Sequence, residues 1–522
     1  MRRHFLVAAA LIAALCPLRP LSAMQGDLIS EETAARHGLA RPWFAQVELD
    51  NARAGIRSVI LYEGVLYVQT DTASIHAIDA ETGKTLWSKP IGSPQYPSMP
   101  PDARADMLAV VNGSRLYVVN RFNGDLLYEK ACKYPPGAGA ALSSKHAYVP
   151  SLEGLLGAYQ VEAADATPKK LDKAESELSL PEKPKNEEER RQNVSVKQKA
   201  PAPVFCQSFG HATVQPLVTR DDLGGEYVVW PTDRGYLNLG RINRDAENSL
   251  GVKYRLQTGA TILARPAYLP PDPKTLGDSG MVFAVSCDGF IYAVQEESGE
   301  TLWRFSTGEP IVESPAAIDD SVYVTTQLGG MYSLDIKNGA SRWFAENAMR
   351  FVAASKTRVY ATDGNGHLLV LSAASGARLD SILTGGISLI LANPDTDRIY
   401  MISNNGLIQC FREAEQTEPL LHNAERKAAA KAGLTPPPKK EVEKPKKEHV
   451  APKTPTVPKE HKPKKEPKPK APREPKQPRR NKKGGGQDLG NPGDQPGGPQ
   501  GPGRGRVPRL PRNGNGGDNN PF

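Results

Sequence analysis

The sequence predicts an all-β fold made of eight similar four-stranded antiparallel units. The first observation is a thirteen-residue frame that recurs along the chain, as in IHAIDAETGKTLW at 75–87 and IYAVQEESGETLW at 291–303. The second is spacing, because the eight copies begin at 75, 116, 155, 236, 291, 331, 368 and 407, mostly about 40 residues apart. The third is that the last copy lacks a final aromatic strand, whereas such a strand precedes the first copy.

Each copy combines an alternating apolar strand, a tight turn and a second strand. Glycine supplies the positive φ that the turn requires, and it holds the same place in five copies: Gly83, Gly124, Gly299, Gly339 and Gly376. A period of about 40 residues made only of strands is typical of a β-propeller, in which each repeat is one blade. The apolar spacing of three and four that a helical repeat would show is missing.

The two ends of the repeat array predict how the ring closes. The last copy, RIYMISNNGLIQCFRE at 398–413, stops before any outer aromatic strand. The segment RPWFAQVELD at 41–50 has Trp43 in the aromatic place and stands one period before the first full repeat. We therefore expect residues 42–48 to pair antiparallel with the strand around 407–411 and to complete the eighth blade, which would remove open sheet edges.

One step between copies is a period plus an insertion. Residues 161–201 are rich in Lys, Glu, Ala and Pro and show no apolar periodicity, so they are expected to form a disordered loop. The repeat resumes with Phe205 in the place of Trp303. The sequence thus predicts an insertion inside blade three, before its outermost strand.

The motif A-x-D-x-x-T-G-x-x-x-W resembles the hallmark of the PQQ-like (quinoprotein-type) propeller repeat, and Ala77, Asp79, Thr82, Gly83 and Trp87 match it in full. The resemblance covers residues 41–412. It implies that the repeated tryptophans pack one blade on the next rather than bind a ligand. Size, blade count and export are similar to the BamB-like, non-enzymatic branch, whose members are rigid platforms with loops that dock partner proteins.

The first residues predict export. Met1–Ala23 combines Arg2 and Arg3, an apolar stretch and Leu-Ser-Ala as a cleavage site, so 1–23 is expected to be a signal peptide, by the general secretory or the twin-arginine route. Its apolar run is too short to span a bilayer, and no other segment is predicted to cross one. The expected location is the periplasm or another part of the cell envelope.

The C-terminal part has a different composition. Residues 436–522 are Lys- and Pro-rich, then Gly- and Asn-rich, with almost no apolar content, so they are expected to be disordered. Residues 421–522 carry 25 Lys and Arg against 10 Asp and Glu, or +15; the whole chain is +8, which leaves −7 for residues 1–420. This basic tail predicts binding to an anionic polymer or lipid surface, or else a spacer. Nucleic acid is disfavoured because residues 412–521 contain no aromatic side chain for base stacking.

The sequence offers no catalytic, cofactor-binding or metal-binding residue. The quinoprotein dehydrogenases that share this repeat imply a central quinone, a calcium ion and usually a vicinal Cys-Cys pair, which this chain lacks. Its cysteines other than Cys16 are far apart and are expected to be mostly buried free thiols. The Asp and Asn residues beside glycine are expected to shape turns: Asp71, Asp288, Asp363, Asn404 and Asn405.

The sequence therefore favours a non-catalytic, exported scaffold that binds envelope proteins through its loops, without a cofactor. Two alternatives stay open. One is a quinoprotein-type dehydrogenase, and the other is a binder of anionic envelope polymers that acts through the tail.

Overall fold

The computed structural model describes residues 28–49, 55–161, 202–222, 225–243, 249–271, 279–385 and 387–423. These ranges contain one short helix and 32 strands, β1 to β32 in chain order. The predicted signal peptide (1–23), all but the first residue of the predicted insertion (161–201) and the predicted tail (436–522) lie outside the described residues.

The strands form eight four-stranded antiparallel sheets, so the predicted eight-bladed propeller is confirmed. The strands of blades 1 to 4 are β2 (Ile56–Tyr62), β3 (Val65–Thr70), β4 (Ser74–Asp79), β5 (Thr85–Pro90); β6 (Asp102–Arg104), β7 (Met107–Asn112), β8 (Arg115–Asn120), β9 (Leu126–Ala131); β10 (Ala141–Leu142), β11 (His146–Pro150), β12 (Leu155–Gln160), β13 (Val204–Gln207); and β14 (Leu217–Asp222), β15 (Gly225–Pro231), β16 (Tyr236–Asn243), β17 (Ser249–Gln257). The strands of blades 5 to 8 are β18 (Ala267–Leu269), β19 (Met281–Val285), β20 (Phe290–Gln295), β21 (Thr301–Ser306); β22 (Ala316–Ile318), β23 (Ser321–Thr325), β24 (Gly330–Asp335), β25 (Ser341–Glu346); β26 (Arg350–Ala354), β27 (Arg358–Thr362), β28 (His367–Ser372), β29 (Arg378–Leu383); and β30 (Ile387–Ile390), β31 (Ile399–Ser403), β32 (Leu407–Glu413), β1 (Leu39–Gln46).

The N-terminal strand closes the ring, as predicted. β1 pairs antiparallel with β32, with Trp43 opposite Cys410 and Gln46 opposite Leu407. Blade 8 therefore takes three strands from the end of the array and its fourth from the beginning. This arrangement ties the first and last repeats together and leaves no unpaired blade in the ring.

The repeated frame folds as a hairpin because its polar residues hold the turn between β4 and β5. The Asp79 carboxylate accepts hydrogen bonds from the backbone N–H of Thr82 (2.8 Å) and from the Thr82 hydroxyl (2.7 Å). Gly83 then takes φ +72°, a conformation that few other residues adopt without cost. The Asp, Thr and Gly of the motif thus act locally, on the backbone of the turn.

The tryptophans of the frame join a blade to the next one at four junctions, through Trp43, Trp87, Trp303 and Trp343. Trp303 of blade 5 is buried, and its indole N–H donates to the carbonyl of Ile336 in blade 6 at 2.9 Å. A Cβ on Gly339 of blade 6 would lie closer than 3.0 Å to that ring, so glycine is needed for space as well as for φ. The packing role that the resemblance implied is therefore present, and the core consists of apolar layers between neighbouring blades.

The antiparallel order gives the propeller two unlike faces. In every blade, the turn between the first and second strands and the turn between the third and fourth strands lie on the same side, here called the turn face. The turn between the second and third strands of each blade lies on the other side, together with the connections between blades. This side is here called the loop face. The strands β12 and β13, between which the predicted insertion falls, are neighbours in one sheet, so the end of β12 and the start of β13 both lie on the turn face.

Two terminal segments pack on the ring. The helix α1 (Glu31–Arg36) begins at Ser30, whose hydroxyl accepts from the backbone N–H of Thr33, and its Ala34 is buried against blades 7 and 8. Residues 414–423, the C-terminal strap, follow β32. No helix in the described ranges is long and apolar enough to cross a bilayer.

The C-terminal strap crosses the turn face from blade 8 to blade 6. The His422 ring bonds the carbonyl of Ala354 in blade 7 at 2.9 Å, and the Asn423 amide donates to the carbonyl of Ala317 in blade 6 at 3.1 Å. Arg398 anchors the start of this path: it is fully buried, pairs with Glu81 of blade 1 at 3.1 Å and donates to the carbonyl of Thr417.

Candidate functional site: the loop face

The loop face has twice as many large exposed apolar side chains as the turn face. Six of the fourteen such residues in the described ranges lie there: Tyr96, Leu152, Phe209, Leu263, Leu328 and Leu383. The turn face has three, Phe122, Leu126 and Leu421, and the rest lie on the outer strands. Leu328 is 78% exposed at the tip of the β23–β24 turn. Solvent-exposed apolar side chains grouped on one side of a molecule indicate an interaction surface.

Phe209 stands out because its backbone is in a conformation that glycine normally occupies. Its φ is +57°, and the equivalent place in the connection after blade 5 is Gly308, with φ +76°. The ring is 48% exposed, and the guanidinium of Arg255 stacks over it at 4.1 Å. A left-handed conformation at a bulky residue costs about 1–2 kcal/mol. The ring packs edge-on against Tyr236 at 6.2 Å, and about half of it stays open to solvent. A strained residue with an exposed ring is a candidate contact point at the surface.

Carboxylates surround the apolar residues, and hydrogen bonds hold several of them in place. Asp363 accepts from the backbone N–H of His367 (2.8 Å) and from its ring (2.9 Å). Burial by itself would raise the pKa of Asp363, but these hydrogen bonds outweigh it and lower the pKa. The same balance lowers the pKa of Asp233, which pairs with His211. The loop face therefore carries ionised carboxylates as well as apolar side chains.

An open groove between blades 4 and 5 reaches the loop face. Its volume is about 750 Å³, and its lining includes Leu256, Gly259, Asp288, Phe290, Tyr292 and Arg304. Asp288 is fixed by bonds from the backbone N–H of Gly259 (2.7 Å) and the hydroxyl of Tyr292 (2.8 Å). Burial, together with Asp288, raises the pKa of Tyr292 to about 12, so this hydroxyl stays protonated.

The centre of the ring is crossed by protein contacts on this side. Arg265, in the connection before blade 5, pairs with Asp102 of blade 2 at 3.2 Å. Gln215, before blade 4, donates to the carbonyl of Ala140 at 2.8 Å and to that of Pro100 at 3.2 Å. Blades 3 and 4 lie between Arg265 and Asp102 in the ring, so this ion pair must bridge the central channel.

The residues described do not fit a quinone–calcium site. Asp102 forms an ion pair with Arg265 and accepts a hydrogen bond from the backbone N–H of Leu142. Within the described ranges, no three His, Cys, Asp or Glu side chains come close enough to hold a metal ion. Asp288, Asp363 and Asn405 accept from backbone N–H groups two residues further on, as expected for turn-forming positions.

The four cysteines of the described chain are free thiols, as expected, although only Cys410 is fully buried. Burial raises the pKa of Cys206 to about 12 and that of Cys132 to about 11. These thiols are therefore poor nucleophiles.

Fold and motif together define the class: the protein is an eight-bladed propeller of PQQ-like repeats. The family model of the outer membrane protein assembly factor BamB matches residues 21–162 and 258–437, more than half of the chain. The chain therefore belongs to this BamB family, and the resemblance predicted from the sequence is confirmed. No curated protein matches the chain.

Solved structures match most of the chain at low identity. BamB from Moraxella catarrhalis is 11% identical, with a TM-score of 0.50, and the match covers 72% of this chain and 98% of that one. The computationally designed Ika8 protein is 12% identical, with a TM-score of 0.47 and coverage of 70% and 98%. The Pan2 WD40 domain from Neurospora crassa is 10% identical, with a TM-score of 0.41 and coverage of 72% and 96%.

The sequence did not point to the groove, to Phe209 or to the contacts across the ring centre. The predicted alignment of Phe205 with Trp303 is wrong by one residue: the strand pairing puts Val204 in the place of Trp303 and Phe209 in that of Gly308. The sequence alignment places Gly210 there, which hides Phe209. The pair of Asp102 and Arg265 is separated by 163 residues, and no local pattern links them.

Proposed function

We propose that this protein is an exported, non-catalytic scaffold of the cell envelope that binds other proteins through its loop face. Membership of the BamB family supports the envelope setting, and the Arg-Arg start with the apolar stretch in residues 1–23 supports export. The observation that carries the proposal is the set of exposed apolar side chains on the loop face. Such residues, amid polar groups, are the anchors that protein partners bury.

The propeller is suited to this role because the exposed loop side chains, such as Leu263, lie outside its core, whereas connection residues such as Ile262 and Ile311 belong to it. The apolar layers between blades and the closed ring hold the loops in place, so loop residues can change without loss of the fold. Phe209 adds a specific point of contact, since its strained backbone presents a ring to solvent.

A matched pair of double variants tests the proposal. Phe209→Ser with Leu263→Ser changes the loop face, and Phe44→Ser with Leu86→Ser changes outer strands. The two pairs contain the same residue types at similar exposure, 48% and 51% against 54% and 47%. Proteins that copurify from envelope extracts would be identified at about 50 and about 500 mM salt, which suppresses purely electrostatic contacts.

We expect the loop-face pair to lose partners that resist high salt, and the outer-strand pair to keep them. Equal retention by both, or equal loss, contradicts the proposal. The dehydrogenase alternative has its own test: pyrroloquinoline quinone with calcium should leave the melting temperature unchanged, whereas a ligand of the folded state would raise it.

A further inference from the structure

We propose that the groove between blades 4 and 5 binds an extended peptide of a partner protein. In this mode an aliphatic or aromatic side chain of the peptide rests on Leu256 and Phe290, and an acidic side chain pairs with Arg304. The inference rests on the proposed scaffold function and names the chemistry of one partner segment.

The next blade junction is filled at the places where the groove is open, although these places hold different residue types from blade to blade. Between blades 5 and 6 the corresponding places hold three aromatic rings, Phe305, Tyr332 and Phe344. Their centroids are 5.3 Å apart for Phe305 and Tyr332 and 4.6 Å apart for Tyr332 and Phe344, so that junction is filled.

Between blades 4 and 5 the equivalent positions are different. Leu256 stands in the place of Phe305 and Arg304 in that of Phe344. Phe290 stands in the place of Gly330, and Tyr292 keeps the tyrosine of Tyr332. The apolar floor of Leu256 and Phe290 is only partly buried, and the groove stays open to solvent. Apolar surface that the chain leaves uncovered can be covered by a ligand side chain.

Arg304 gives the groove a preference for an acidic peptide side chain. Its guanidinium lies over the Phe290 ring at 5.2 Å from the centroid and is exposed. Within the part of the chain that the structure describes, it has no carboxylate partner, because Asp288 is held by three hydrogen bonds to its own surroundings. A stacked, oriented guanidinium is well placed to bind a carboxylate in two-pronged geometry.

The strands beside the groove favour an extended peptide over a compact ligand. β17 and β21 are the last strands of their sheets, so their outer edges offer backbone N–H and C=O groups. An extended peptide can pair with such an edge while alternate side chains enter the groove. Side chains at i and i+2 point the same way about 7 Å apart, which allows one to reach the apolar floor and the other to reach Arg304.

A peptide array tests the inference with the full-length protein. Octapeptides of Gly and Ser carry, at positions 4 and 6, every pair drawn from Leu, Phe, Glu, Lys and Ser. Binding is compared for the wild type, Arg304→Glu and Arg378→Glu, whose arginine lies on the outer strand of blade 7 and donates to Ser381. The basic tail is the same in all three proteins, so its attraction for acidic peptides cancels in the comparison.

We expect peptides that pair Glu with Leu or Phe to be retained most by the wild type and by Arg378→Glu, and about tenfold less when Lys replaces Glu. Arg304→Glu should reverse the charge preference, and Arg304→Gln should abolish it if the reversal variant does not fold. The inference is overturned if no pair exceeds Ser with Ser, or if the charge preference is the same in Arg304→Glu. In either case the loop-face variants still decide the scaffold function separately.

Discussion

Replacing Glu226 with Gln should destabilise the junction between blades 3 and 4. Glu226 is 3% exposed, and one carboxylate oxygen accepts from the Ser143 hydroxyl (2.6 Å), the His146 ring (2.8 Å) and the Tyr148 hydroxyl (2.8 Å). A hydrogen bond to a charged group contributes about 1.5–3 kcal/mol and a neutral one about 0.5–1.5 kcal/mol. Three such bonds predict a loss of about 3 kcal/mol, near the lower end of the range for breaking a buried ion pair.

The pH dependence gives the same prediction a second readout. Burial favours a raised pKa for Glu226, but the hydrogen bonds and the charge of His146 outweigh burial and hold the pKa below 4.5. A lowered folded-state pKa means that the stabilisation is present above about pH 4.5 and is lost as the pH falls through the folded pKa. The difference between wild type and variant should therefore be largest near neutral pH and should shrink in acid.

Urea unfolding of both proteins at pH 7 and at pH 4 and below measures these two effects. Glu129→Gln is the control, because Glu129 pairs with Arg115 on the surface and its loss should cost less than about 1 kcal/mol. A change in Glu226→Gln no larger than the control, or a difference that does not depend on pH, would refute the reasoning.

Three further predictions concern the ring and the tail. Gly339→Ala should lower the free energy of unfolding, measured with urea, more than Gly308→Ala does, because both glycines have positive φ but only Gly339 would place a Cβ against Trp303. Equal losses would contradict the packing of Trp303 on Gly339 as a reason for the glycine. Removing residues 28–50 should make the ring sensitive to protease, because blade 8 loses β1; an unchanged digestion pattern argues against closure by this strand. A chain that ends at residue 430 keeps the C-terminal strap and should lose the salt-sensitive retention on acidic lipid vesicles that the +15 tail predicts; equal retention of both chains would assign the tail a spacer role.

The elements of the ring could be predicted because they repeat. Trp43, far from the array, was recognisable as the missing fourth strand of blade 8 only because other copies showed an aromatic residue at that place. The C-terminal strap was not predicted, because its contacts use backbone carbonyls and single polar residues such as His422 and Asn423. Nothing in composition or periodicity distinguishes such a segment from a loop.

The contacts between buried polar groups could not be predicted from the sequence, for a related reason. Glu226 and its three donors come from two blades, and Arg398 meets Glu81 across 317 residues. These pairs depend on which blades are neighbours and on the way side chains turn at the ends of strands. Both facts follow from the closed ring rather than from any local segment.

The repeats also suggest how to search for function in a propeller. Positions that serve the fold meet the same geometry in every blade, so the same residue types return there, as Gly339 and Trp303 show. Positions that serve binding face a partner only once, so they appear as departures from the repeat. Phe209 is such a departure, because it has a positive φ where Gly308 stands in a later connection, and it lies near the groove in which Arg304 is exposed. That coincidence is the reason to test this part of the loop face first.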